Sequence, residues 1–326
     1  MKVLIIKLGA LGDVIMATAL IRRIQEHHPD DELWLLTTPA FAPLFADWAG
    51  LQVAAFPRKG MLAMLRLLGW IRRRRFGRVY DLQANDRTGV ICALSGIPER
   101  VGNHPRYPYN IHPPLRWDQR SHIFERMNAV LESAGITPAE PRPWLPLRAA
   151  GRIRVAEWLS RHDLRDASFA VMHAGASPGW PSKCWPHYAE LACALAERGL
   201  TTVWLGAGTD AAGNAALAAR TGIDATDAFS IAELAELGRH ARFALTNDSG
   251  PMHALAASGV PLYAFFGPTD WRRNHALGQG ERVLRNEEPC TACGARDRAT
   301  RRDHTCLPGI SAARVLERLA ADGLFG

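Results

Sequence analysis

At roughly 150 residues per domain, a chain of 326 residues has room for about two domains, with cores that need no disulfide staples. Apolar residues make up 48% of it and charged residues 22%, which excludes a disordered or fibrous chain. The net charge of +7 lies wholly in the first 150 residues, with 20 Lys and Arg against 13 Asp and Glu, while the remaining 176 hold 19 of each; the N-terminal half thus calls for an anionic partner such as nucleic acid, an anionic lipid surface or an acidic substrate.

The opening run KVLIIKL reads as a buried strand. Lys7 and Asp13 interrupt its apolar character and no small-residue cleavage pattern follows, so a cytoplasmic protein without a secretory signal is expected. DVIMATALIRRIQEHHP reads as a helix beginning at Asp13, and DELWLLTTP and VYDLQAN as a second and a third strand. Alternation of this kind implies βαβ units and a parallel sheet. Between those strands, residues 57–78 carry eight basic residues and no acidic one on a helical pattern with an apolar face. This stretch is either a solvated amphipathic helix or a surface for an anionic acceptor or membrane. Four prolines in residues 136–150 mark a linker, which places one domain at 1–150 and another at 151–326.

A second series of strands follows: ASFAVMHAG, LTTVWLGAG, ARFALTNDSG and VPLYAFFGPT, with helical patterns at 187–199, 211–220, 230–240 and 250–258. The uncharged run 249–269 is long enough to span a bilayer, but its Gly and Pro punctuation makes it a turn, a helix and a strand. The fold class expected is α/β: two Rossmann-like, doubly wound domains facing across a central cleft, with ligands at the carboxyl ends of the strands.

Three loops at those carboxyl ends carry the chemistry. In KLGALGDV, Gly9 and Gly12 allow a tight strand-to-helix turn, and Asp13 is either an N-cap or a carboxylate free to act as general base. The dinucleotide fingerprint is absent from this loop, which speaks against a nicotinamide dehydrogenase. In HAGASPGWPSKCWP, Lys183 precedes a helix and is either a solvated loop lysine or a phosphate ligand. In LTNDSGPMHALAASG, Asp248, Ser249, Gly250 and Pro251 open a helix whose N-terminal N–H groups suit a diphosphate, with His253 one turn further on.

Of six cysteines, Cys92, Cys184 and Cys193 are scattered and read as core residues. Cys290, Cys293, His304 and Cys306 are clustered and could hold structural zinc or iron, or remain reduced thiols.

The opening KLGALGDV, the loop HAGASPGWPSKCWP, the segment NDSGPMHALAASGVPLYAFFGPTD and the cysteine-containing tail together resemble glycosyltransferase family 9, the ADP-heptose:lipopolysaccharide heptosyltransferases. The resemblance covers essentially the whole chain. It implies the GT-B fold and an inverting, metal-independent transfer of heptose from ADP-L-glycero-D-manno-heptose, with no catalytic cofactor. The basic N-terminal domain would take an anionic lipopolysaccharide inner-core acceptor at the cytoplasmic face of the inner membrane, and the C-terminal domain the nucleotide sugar. By the same resemblance Asp13 is the catalytic base and Lys183 neutralises the departing diphosphate. Ser177 (beside Ala176), Asp248, Ser249, Gly250 and His253 contact the donor, and Asp224, with Asp227 as competitor, reaches the ribose. Arg58, Lys59, Arg87 and Arg106 are candidates for acceptor contact. The opening departs from the Lys-Thr-Ser-Ser-Met-Gly-Asp found in many members. Two alternatives stand beside this reading: a family relative using another nucleotide sugar for a different surface polysaccharide, and a nucleic-acid-binding protein with a Cys-rich finger, which the lack of interleaved aromatics in the basic run disfavours.

Overall fold

The computed structural model describes residues 1–58, 60–104, 107–114, 122–177, 179–286 and 306–325. The chain forms two compact units, Met1–Pro146 and Leu147–Gly326.

The first unit contains, in chain order, β1 (Lys2–Ile6), α1 (Leu11–His27), β2 (Glu32–Thr37), β3 (Leu51–Ala55), α2 (Met61–Arg74), β4 (Arg78–Asp81), α3 (Asp86–Ser95), β5 (Glu99–Val101) and α4 (Ile123–Ser133). Its five strands are all parallel in the order β3-β2-β1-β4-β5. β1 is the central strand, which is why its residues Val3 to Ile6 form an uninterrupted apolar run with no exposed surface. Leu4 and Ile6 pack with Leu36, Leu67, Ile71, Val79 and Ile91, so α2 and α3 close over the same face. α1 begins two residues before the expected start: Ala10 is its N-cap and makes no side-chain cap, which leaves Asp13 in the first turn and not at the cap. VYDLQAN is the fourth strand, because LQVAA at β3 intervenes; that segment has too few β-branched residues to stand out. The Pro-rich segment is held down at Trp144, whose backbone N–H donates to Thr18 Oγ1 at 2.8 Å and whose ring meets Trp48 edge-on at 4.4 Å.

The second unit contains α5 (Ala149–Arg161), β6 (Phe169–His173), α6 (Tyr188–Ala196), β7 (Thr201–Gly206), α7 (Ala211–Ala218), β8 (Ile223–Thr226), α8 (Ile231–His240), β9 (Phe243–Asn247), α9 (Gly250–Ala256), β10 (Leu262–Phe265), α10 (Trp271–Asn274), β11 (Val283–Leu284) and α11 (Ala312–Ala321). The sheet is parallel throughout, in the order β11-β10-β9-β6-β7-β8. Its core stacks Trp185 on Phe265 at 4.2 Å and gathers Tyr188, Trp204, Phe243 and Tyr263. Among the described residues, no helix is long and apolar enough to cross a membrane.

Leu4 is fully enclosed in β1, so Leu4→Ala should cost about 2–5 kcal/mol, read as a lower urea midpoint by tryptophan fluorescence; an unchanged midpoint would contradict this packing.

Candidate active site

Strand order reverses once in each sheet. In the first it reverses between β1 and β4, whose outgoing loops turn to opposite sides and open a crevice; in the second it reverses between β6 and β9. Open parallel sheets bind ligands at such points. Asp13 lies at the first and Lys183, Asp248, Ser249, Gly250 and His253 at the second.

In the first unit, the Gln83 side chain beyond β4 accepts the N–H groups of Leu8 at 2.9 Å and Gly9 at 3.1 Å, which pins the loop beyond β1. Gly9 has φ +141°, and a Cβ there would lie 3.1 Å from the Phe41 ring and 3.8 Å from Arg58 Nη1. The loop therefore needs glycine, and the Arg58 guanidinium lies against it. Asp13 lies half-buried with its carboxylate 4.0 Å from Lys7 Nζ. Lys7 is only 2% exposed and donates to the Leu82 carbonyl at 3.1 Å. Fully buried Asp81 accepts from the N–H groups of Gln83 and Ala84 and from the Tyr109 hydroxyl.

Burial pushes the Asp13 carboxyl above its ordinary range, against the pull of the Lys7 cation and a hydrogen bond from the Ala10 N–H. Burial also lowers Lys7, against the fields of Asp13 and Asp81, and raises Asp81. A half-buried carboxylate lifted in this way is better matched to accepting a proton near neutrality than an ordinary surface aspartate.

In the second unit, Asn247, fully buried at the end of β9, is the bracket of the site. Its amide donates to the carbonyls of Ala174 at 2.8 Å and Gly175 at 3.0 Å, and its oxygen accepts from the Trp185 N–H at 3.1 Å and the Tyr188 hydroxyl at 3.3 Å. These bonds fix the loop beyond β6 and, through Trp185, the segment carrying Lys183. Lys183 Nζ sits 2.7 Å from Asp248 Oδ2, which also accepts from Thr269 Oγ1 at 2.7 Å, and 5.0 Å from the centre of the Trp180 ring. Asp248 thus aims the ammonium, which has three donors. Ser249 is the N-cap of α9, yet its hydroxyl makes no cap. It donates instead to the Asn247 carbonyl at 3.2 Å and lies 3.0 Å from His173 Nδ1, while His173 Nε2 lies 3.7 Å from Asp210 Oδ2. The His173 bond, together with the Ala207 N–H, holds Asp210 below the ordinary carboxylate range despite its partial burial. A Cβ on Gly175 would stand 2.1 Å from Asp210 Oδ1, so only glycine lets this carboxylate in. Pro251 occupies the first turn of α9, and His253 is buried one turn in.

The other expected residues are more dispersed. Ser177 is exposed in the loop beyond β6. Asp224 is turned onto its own strand, accepting from Thr226 N–H at 2.8 Å and Oγ1 at 2.6 Å, whereas Asp227 lies beyond the end of β8, with Oδ2 3.6 Å from where a Gly208 Cβ would stand. Arg87 is half-buried in the first turn of α3. Lys59, Arg106, Cys290, Cys293 and His304 lie outside the described residues, and Cys306 is buried. Among the described residues, no three His, Cys, Asp or Glu side chains converge on a metal position. The sequence reading assigned no role to Lys7, Asp81, Gln83, His173, Asp210, Asn247 or Thr269. A lysine or aspartate inside an apolar strand was the one available signal, for Lys7 and Asp81.

The structure shows the GT-B fold of nucleotide-sugar glycosyltransferases. It aligns with a glycosyltransferase family 9 protein from Veillonella parvula at a TM-score of 0.81 (21% identity, 98% of this chain and 96% of that one). It aligns with the Escherichia coli ADP-heptose lipopolysaccharide heptosyltransferase II at 0.77 (24% identity, 98% of each chain). In sequence, the chain is 28% identical to lipopolysaccharide heptosyltransferase 2 of Escherichia coli K12 over 346 aligned positions, covering 98% of both. Residues 64–302 match the model of glycosyltransferase family 9 (heptosyltransferase), and the chain belongs to that family of enzymes.

Lys7 is the cation that holds Asp13 down, so Lys7→Met should move the acid limb of the transfer rate to higher pH. If transfer needs the Asp13 carboxylate ionised, as proposed below, it is lost as pH falls through the Asp13 pKa, and the variant loses it sooner; coincident pH profiles would remove Lys7 from this role.

Proposed function

We propose that the protein transfers heptose from ADP-L-glycero-D-manno-heptose to an anionic lipopolysaccharide inner-core acceptor, with inversion at the anomeric carbon and without a catalytic metal. The observation that carries this reading is, in the second unit, a lysine held by Asp248 beside the N-terminus of α9, and the first unit adds a raised, half-buried carboxylate in its own crevice. The named relatives support the sugar and the acceptor class.

In this mechanism Asp13 takes the proton of the acceptor hydroxyl while that oxygen attacks the anomeric carbon. The bond from that carbon to the β-phosphate oxygen breaks, and its electron pair leaves with ADP. Attack opposite the leaving group inverts the centre. Lys183 and the first-turn N–H groups of α9 stabilise the charge developing on the diphosphate, the part a metal plays in other glycosyltransferases. Asp248 and Thr269 orient Lys183, and Ser249, set by His173 and Asp210, offers its hydroxyl to the same anion. Ser177, Gly250 and His253 line the donor position, and Asp227, ahead of Asp224, reaches the ribose. Arg58, by its place over Gly9, and Arg87 receive the acidic groups of the acceptor, together with Lys59 and Arg106. The work is done at the cytoplasmic face of the inner membrane, where such an acceptor would be displayed.

Asp13→Ala should reduce kcat by roughly 10²- to 10⁴-fold while leaving ADP-heptose affinity unchanged; normal turnover in this variant would overturn the assignment. Lys183→Ala should weaken ADP binding by about 1.5–3 kcal/mol, on the order of 10- to 100-fold in Kd by calorimetry, and an unchanged Kd would place the diphosphate elsewhere.

A further inference from the structure

The mechanism leaves one surface of the first unit unused. α2 buries Leu67, Leu68 and Ile71 on one side. On the opposite side Met61, Leu62 and Leu65 are 79%, 60% and 60% exposed. An amphipathic helix that packs once has no reason to present three large aliphatic side chains to water on its other face. Arg66, Arg72 and Arg73 share that outward face and are exposed. No Asp or Glu occurs anywhere in residues 57–78.

Two further arginines of this stretch are used internally. Arg74 stacks over the Trp34 ring at 4.3 Å, and Arg78 pairs with Glu99. Among the described residues, Arg66 and Arg73 have no carboxylate partner. Arg72 Nε donates to the Leu94 carbonyl at 3.0 Å, tying α2 to α3, where Val90 and Leu94 are again about half exposed at 48% and 46%. The outward row of α2 with Leu94 thus forms one surface that is both apolar and cationic, while Val90 lines a neighbouring cavity with Asp86.

This composition selects its occupant. A second copy of the chain docked about a two-fold axis would set the same arginines against one another, with no acid on α2 to offset them and Asp30 and Glu32 near Arg73 alone. Nucleic acid would satisfy the arginines but offers nothing apolar to three aliphatic side chains. An anionic bilayer offers both, with phosphates at the level of the arginines and acyl chains beneath.

We propose that the outward face of α2, continued by α3, is a membrane-docking surface: Met61, Leu62 and Leu65 enter the acyl boundary of an anionic leaflet while Arg66, Arg72 and Arg73 lie at its phosphates. The surface supplies the membrane location that the heptosyltransferase reading calls for. Its test uses neither donor nor acceptor, so the two fail separately.

The experiment is co-sedimentation of the full chain with sucrose-loaded vesicles of phosphatidylcholine alone or mixed with phosphatidylglycerol, over a range of salt. Strong binding to the mixed vesicles, weak binding to the neutral ones and a decline with salt are expected. Leu62→Glu with Leu65→Glu should lower the partition coefficient by about tenfold or more, and Arg66→Gln with Arg73→Gln by roughly fivefold for each arginine. Circular dichroism and ADP affinity should match the parent in both variants. Equal binding to neutral and anionic vesicles, or undiminished binding of both variants, would overturn the proposal. So would self-association in sedimentation velocity that the glutamate variant abolishes, since a second copy would then be the occupant.

Discussion

The constraint on which the rest depends is the single reversal of strand order in each parallel sheet. Parallel ladders bring every strand's carboxyl end to one edge, and the reversal between β1 and β4, and between β6 and β9, parts the loops at that edge. A crevice of this kind is useful only if its walls hold still. Here polar side chains hold them: half-buried Gln83 and fully buried Asp81 in the first unit, fully buried Asn247 in the second. Each is hydrogen-bonded to backbone groups that no ladder satisfies, so these bonds fix the site loops to the body of the sheet.

The two crevices use charge in opposite ways. In the first, the buried cation Lys7 serves the protein itself, opposing the pull of desolvation on the Asp13 carboxyl. In the second, the carboxylate is the servant and the cation the working group: Asp248, anchored by Thr269, aims Lys183. Ser249 follows the same logic. Its hydroxyl is withheld from capping α9 because His173, itself held by Asp210, stands close enough to claim it.

Much of the fold was legible because parallel sheets write long apolar runs, and β1, β6, β7, β9 and β10 all carry one. β3, with LQVAA, and β8, with IDAT, escaped because neighbours and not composition make them strands; their place beside β2 and β7 supplies the pairing that their side chains do not advertise. The loops that build the crevices were equally visible from Gly, Pro and Asp punctuation. The supporting residues were not. His173 ends a strand, Asp210 opens a helix 37 positions later, and Gly175 makes room for their meeting, a relation that exists only in three dimensions. For Asp13 the sequence left two readings open, an N-cap or a free carboxylate; the helix starts at Leu11 with Ala10 as its cap, which removes the first.

The central claim is that the crevice between β6 and β9 holds the diphosphate of an ADP-sugar. A crystal structure of the protein with ADP-heptose tests it most directly. Diphosphate oxygens within hydrogen-bonding distance of Lys183 Nζ, Ser249 Oγ and the first-turn N–H groups of α9 are the expected result. A nucleotide bound with its diphosphate away from Lys183 and α9 would contradict it.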